Sequence, residues 1–127
     1  MLYALMIYER PSDFERRDPA AADSVIGAWR SYFRAVSDAG IYVGGNALDI
    51  PDNATTVRLR DDKRQIQDGP YANTKEQLGG VMVLELPSLD EALEWAAGCP
   101  AASYGAVEVR PVSTSTDERV TGERQQW

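Results

Sequence analysis

Asp68-Gly69-Pro70-Tyr71-Ala72-Asn73-Thr74-Lys75-Glu76-Gln77-Leu78-Gly79-Gly80 sets a stiff corner and a glycine pair between two strand-like runs. An Asp at the head of a turn accepts hydrogen bonds from backbone N–H groups two or three residues on. Gly69 precedes a proline, a position that favours extended backbone. Pro70 fixes its own φ and removes a donor, so Tyr71 projects from a rigid corner. Thr74 and Gln77 have capping-box spacing, and Gly79-Gly80 limits any helix there to about one turn. Turn chemistry explains Asp68, Gly69 and Pro70. It does not require Tyr71, Lys75 or Glu76, which can reach a ligand or a second subunit, although a solvated Lys–Glu pair is the more frequent case.

Downstream, Gly80 to Leu86 reads as a strand, and Ser88 with Glu91 opens a helix through a capping box. Leu89, Ala92, Leu93 and Ala96 form its apolar stripe, Gly98 stops it, and Tyr104 to Val112 is a last strand. Upstream, Thr55 to Arg60 and Arg64 to Gln67 flank Asp61-Asp62-Lys63 as a charged hairpin with a polar tip. Before it, Ile41 to Val43 is a short strand that Gly44-Gly45 breaks. Val25, Ile26, Trp29, Tyr32, Phe33 and Val36 share one helical stripe, capped by Asp23 or Ser24 and ended by Gly40. Leu2 to Tyr8 is a buried first strand, without the basic flank and cleavage site of a secretory leader. A polar loop from Arg10 to Asp23 follows it, with a helical turn around Phe14. Setting the hairpin aside leaves βαββαβ: an α+β, ferredoxin-like antiparallel sheet with two helices on one face.

Side chains on a strand alternate between faces. Met82, Leu84, Leu86, Val107 and Val109, joined by Leu5 and Ile7, belong under the helices. Val81, Val83, Glu85, Ala106, Glu108 and Arg110, with Met6 and Tyr8, belong on the reverse. That second face is too apolar to stay bare and too polar for an ordinary core. The same face of a second copy is the simplest cover, which predicts a homodimer. Glu85, Glu108 and Arg110 then form either an interface salt bridge, the commoner use, or a polar pocket in which Arg110 holds a carboxylate or phosphate.

At 127 residues the chain is one domain, expected over 1–112 with a loose tail over 113–127. No apolar run approaches the roughly 18 residues of a membrane span. A net charge of −7 argues against nucleic acid and anionic membranes as partners. The single Cys99 points to a reducing, cytoplasmic setting and reads as a small buried residue, with no histidine to activate it. Without histidine, transition-metal sites and Ser-His or Cys-His pairs lack their residues; no phosphate-binding glycine motif occurs, so no metal and no cofactor are expected.

The thirteen residues from Asp68 to Gly80 resemble the hallmark of the DGPF proteins, a branch of the YCII-related superfamily, with Tyr71 in place of the Phe of that name. Glu108 to Val112 resembles the family's closing strand and Leu2 to Tyr8 its opening one. The resemblance implies a dimeric α/β-barrel type of ferredoxin-like fold. It also implies a bacterial protein, some of whose relatives are linked with extracytoplasmic-function sigma factors. YCII relatives have been proposed as enzymes with a His-Asp pair in a cleft; this chain has no histidine, and only Asp68 is a loose counterpart.

The expectation is a small homodimer that binds a small molecule between subunits, or serves as an accessory to bacterial stress-response regulation. The ligand-binding residues named for it are Tyr8, Asp68, Tyr71, Glu85, Glu108 and Arg110. The rival is a cofactor-independent isomerase, lyase or monooxygenase using Asp68 or Glu108 as catalytic carboxylates. A third reading is an interaction module for a sigma factor.

Overall fold

β1 (Leu2–Glu9) is one of the two inner strands of a four-stranded antiparallel sheet in the computed structural model, which describes residues 1–17 and 23–113. The strand leads into α1 (Pro11–Phe14), a 3-10 turn (Glu15–Arg17), α2 (Asp23–Asp38) and β2 (Tyr42–Ala47). A second 3-10 turn (Pro51–Asn53) precedes the hairpin of β3 (Thr55–Arg60) and β4 (Lys63–Asp68). Then come β5 (Gln77–Glu85), α3 (Leu89–Gly98), a third 3-10 turn (Pro100–Ser103) and β6 (Ala106–Pro111). The sheet order β2-β5-β1-β6 is that of a ferredoxin-like βαββαβ unit, and β3–β4 forms a separate two-stranded sheet. The tail expected from 113 onward lies outside the described residues apart from Ser113.

The register bears out the two-faced sheet. Ala4 lies opposite Val83 and Arg110, and Met6 opposite Val81 and Glu108, so these residues share one face. The other face is the core, where Tyr3, Leu5, Ile7, Met82 and Leu84 meet Tyr32, Val36, Ala92, Ala96 and Cys99. Each large aliphatic side chain buried there contributes about 1.5–3 kcal/mol. The Tyr32 hydroxyl donates to the Trp95 carbonyl at 2.7 Å, and the two rings meet edge to face at 6.2 Å, joining α2 to α3.

Several local expectations need correcting. Gly44-Gly45 does not break its strand: β2 runs through both, and Gly45 packs so closely on β5 that an added Cβ would stand 2.6 Å from the Val81 carbonyl oxygen. Likewise β5 begins at Gln77 and runs through Gly79-Gly80, so the short helix allowed there is absent. Gln77, rather than capping a helix, turns its buried side-chain amide back to donate to the carbonyls of Ala72 (2.9 Å) and Thr74 (2.8 Å). Gly69 has φ +98°, a left-handed conformation that favours glycine, where its place before proline implied an extended one. In α3, Leu89 and Leu93 are about half exposed, while Ala92, Trp95 and Ala96 face the core. At about 100° per residue the two stripes overlap, and the ring of Trp95 fills the inner position. The capping reading of α3 holds on one side, since the Ser88 Oγ accepts the Glu91 N–H at 3.3 Å.

Burial above all pushes the Cys99 thiol up to about 11 and raises the Tyr32 phenol well above its ordinary range. A group whose pKa is raised by folding stabilises the fold fully below its unfolded value and less as pH climbs toward its folded one. Denaturant titrations are therefore expected to show stability falling from about pH 9 to about pH 11, and Cys99→Ala should flatten that slope. Gly45→Ala should lower Tm by several degrees in a calorimetric scan, since the nearest atoms to the new Cβ are backbone atoms of β5.

Candidate functional site

Of the residues singled out from sequence, Glu108 and Arg110 meet through a direct ion pair on the face away from the helices. Glu85 is not part of that pair: its carboxylate stands 3.4 Å from the N-terminal ammonium of Met1. The pairing explains the separation. Glu85 lies opposite Leu2, whereas Glu108 lies opposite Met6, four residues or about 13 Å further along β1. Tyr8 and Tyr71 do come together, lining an open groove of about 480 Å³ with Leu48, Ile50, Pro51 and Leu78. Tyr71 is 70% exposed, with the Arg58 guanidinium 4.7 Å from the centre of its ring. Asp68 sits exposed at the end of β4, opposite Thr55.

A second cleft, of about 380 Å³, opens on the helical side, between α2 and the sheet. Its walls are aromatic and aliphatic: Val25, Ile26, Trp29, Phe33, Tyr42 and Met82. Two buried carboxylates, Glu9 and Asp13, line it together with Arg16, Arg17 and Tyr104. Alternation along β1 puts Glu9 on the face of Leu5 and Ile7, so a charge enters the apolar layer.

That charge is held from several elements. The Tyr104 hydroxyl donates to Glu9 Oε2 at 2.9 Å and itself accepts the Trp29 indole N–H at 3.1 Å. Arg17 Nη2 stands 3.7 Å from Glu9 Oε1 and donates to the Gly79 carbonyl at 2.9 Å, while its Nη1 donates to the Leu48 carbonyl. The Phe14 ring packs under the same guanidinium, 4.6 Å from its carbon. Asp13 Oδ2 accepts the Arg10 backbone N–H at 3.0 Å; its Oδ1 has no hydrogen-bond partner among the described residues, with Arg16 Nη1 at 3.8 Å. Burial, with a smaller share from the Glu9 carboxylate, holds the Tyr104 phenol well above its ordinary range against the opposing effect of Trp29. Tyr104 is thus a hydrogen-bond donor at neutral pH, which leaves Glu9 as the acceptor on the floor of the cleft.

Gly79 makes this arrangement possible. A Cβ there would lie 2.6 Å from Glu9 Oε1 and 3.3 Å from Arg17 Nη2. Neither Glu9 nor Tyr104 was among the residues singled out from sequence. The signal available was slight: the period-two pattern that assigns Leu5 and Ile7 to the core assigns Glu9 there too.

The chain belongs to the YCII-related family: the model of the YCII-related domain matches residues 1–116. A curated relative, an uncharacterised protein of Rhizobium meliloti, is 34% identical over 116 residues, which span 89% of this chain and 93% of that protein. Among solved structures, 5-chloro-2-hydroxyhydroquinone dehydrochlorinase from Burkholderia phenoliruptrix, in complex with 2,5-dihydroxybenzoquinone, aligns over 89% of this chain and 94% of its own. It does so at 19% identity with a TM-score of 0.49. No helix among the described residues is long and apolar enough to cross a membrane.

Gly79→Ala is expected to displace the Glu9 carboxylate and break the Tyr104 hydrogen bond while leaving the sheet paired. The check is the phenol titration followed by ultraviolet difference absorption: loss of the Glu9 contact should bring one tyrosine down toward its ordinary range.

Proposed function

We propose that this protein binds a small organic molecule in the cleft between α2 and the sheet, with Glu9 as the anchoring acceptor and Tyr104 as its positioning donor. The observation that carries this reading is a buried carboxylate, oriented by a tyrosine that is itself oriented by a tryptophan, at the floor of an otherwise aromatic cleft. Ligand sites have this composition: apolar walls with a few convergent polar groups. A desolvated acceptor favours ligands that present an O–H or N–H, because a ligand without one leaves the carboxylate unpaired.

A cofactor-independent enzyme is the second reading, and the same carboxylate favours it. Glu9, rather than Asp68 or Glu108, is then the base that takes a proton from the bound molecule. Arg17 and the Tyr104 hydroxyl hold the carboxylate in place, and neither can accept that proton at neutral pH.

The reading includes a homodimer formed through the face opposite the helices. Ala4, Met6 and Val81 are only half buried there, beside the Glu108–Arg110 pair, and a second copy of the same face would cover them. The groove of Tyr8 and Tyr71 then belongs to the subunit boundary, where those two residues remain candidates for a ligand contact; Arg110, opposite Ala4, remains one on the sheet face beside it. A cytoplasmic, bacterial protein and an accessory role in stress-response regulation stay part of this proposal, resting on the lone cysteine and on the family resemblance alone.

Saturation-transfer NMR with a panel of small phenols, amines and carboxylic acids tests the site. Binders of the wild type should lose about tenfold or more in affinity with Glu9→Gln, a loss of roughly 1.4 kcal/mol or more, and should be indifferent to Glu108→Gln. Equal binding by the wild type and Glu9→Gln would sink the reading. Conversion of a binder by the wild type but not by Glu9→Gln would establish the enzymatic alternative.

A further inference from the structure

The β3–β4 hairpin stands apart from the main sheet as a two-stranded ribbon, joined through the tight turn Asp61–Asp62, both residues at positive φ. Such ribbons are marginal in water without something packed against them. Its two faces differ. Thr56, Arg58, Arg60 and Lys63 lie on one, and on that face the hairpin meets its own chain: Thr56 Oγ1 donates to the Gly69 carbonyl at 2.9 Å, and Arg58 stacks on Tyr71. The opposite face carries Val57 directly across from Ile66, and Leu59 across from Arg64. Val57, Leu59 and Ile66 are 59%, 63% and 58% exposed, so the own chain leaves this apolar strip uncovered.

From these observations we infer that the apolar face of the hairpin is an arm that lies on a second copy of this chain, over that copy's Tyr8–Tyr71 groove. The inference rests on the homodimer proposed above. Three features select this occupant. The groove is itself apolar and open: Leu48, Ile50 and Tyr71 are 39%, 40% and 70% exposed along it. Charge is complementary, since Asp49 and Glu76 line the groove while Arg64 shares the arm's apolar face. The groove also adjoins the proposed dimer face through Tyr8, which follows Ala4 and Met6 on the same side of β1, and Leu78, paired with Tyr8. Arm and groove lie on one molecule, so a two-fold axis lets each copy give an arm and receive one, closing the assembly at two. Gly69 and Arg58 tie the arm's base to the segment that walls the groove, so arm placement and groove shape are mechanically linked.

Sedimentation velocity over a concentration series tests the arm, using the full chain and the variants Leu59→Glu, Ile66→Glu and Lys63→Glu. The first two residues are exposed in the monomer, so their substitution removes no core contact, and circular dichroism verifies the fold; where Leu59→Glu unfolds, Leu59→Ser takes its place. A dimeric wild type, weakened at least tenfold by Leu59→Glu and Ile66→Glu and little changed by Lys63→Glu, bears the inference out. A dimer indifferent to Leu59→Glu and Ile66→Glu, or weakened equally by Lys63→Glu, overturns the arm and leaves the sheet-face dimer standing. A wild type that stays monomeric at tens of micromolar overturns both.

Discussion

A carboxylate carried into the apolar layer by strand alternation is the constraint around which this molecule is arranged. Glu9 ends β1 pointing the same way as Leu5 and Ile7. A buried charge without partners is costly, and removing one partner from a buried pair typically costs roughly 3–5 kcal/mol. The chain meets this with groups from distant parts of the sequence: Arg17 after the first short helix, Trp29 on α2, Gly79 on β5 and Tyr104 before β6. The loop after β1, both sheet neighbours of that strand and one helix therefore converge where the cleft opens.

The same sheet does different work on its two sides. Under the helices it is closed by Tyr32, Val36, Ala92 and Cys99, and the edge-to-face contact of Tyr32 with Trp95 keeps both helices in one layer. Away from the helices, Ala4, Met6 and Val81 are only half buried and lie beside the Glu108–Arg110 pair. The hairpin repeats the pattern on a smaller scale, with one face on its own chain and one apolar face free of it. The exposed apolar residues of the hairpin, Val57, Leu59 and Ile66, do not line the Glu9 cleft.

The candidate residues read from sequence divide along a physical line. Glu108 and Arg110 are two apart on one strand, so alternation alone brings them to one side, and they pair. Glu85 is on that side as well, but strand register offsets it by four residues along β1, and register depends on how the strands align rather than on either strand's own pattern. Asp68 ends β4 opposite Thr55, and the turn is closed by its neighbour: the Gly69 N–H donates to the Ala54 carbonyl at 2.8 Å at the base of the hairpin. The Glu9–Tyr104 pair joins residues 95 positions apart, which no local pattern reveals.

What the sequence determined by itself is the order of elements, the two-faced sheet and the hairpin, because each follows from periodicity and turn chemistry acting over a few residues. The left-handed Gly69 is held by its hydrogen bonds at the hairpin base, while the passage of strands through both glycine pairs and the inner stripe of α3 were decided by packing, where backbone or ring contacts outweigh local preference. The cleft belongs wholly to the tertiary structure: a carboxylate at the end of one strand becomes a site only when Arg17, Trp29, Gly79 and Tyr104 are folded around it, since desolvation and hydrogen bonding act through space and not along the chain.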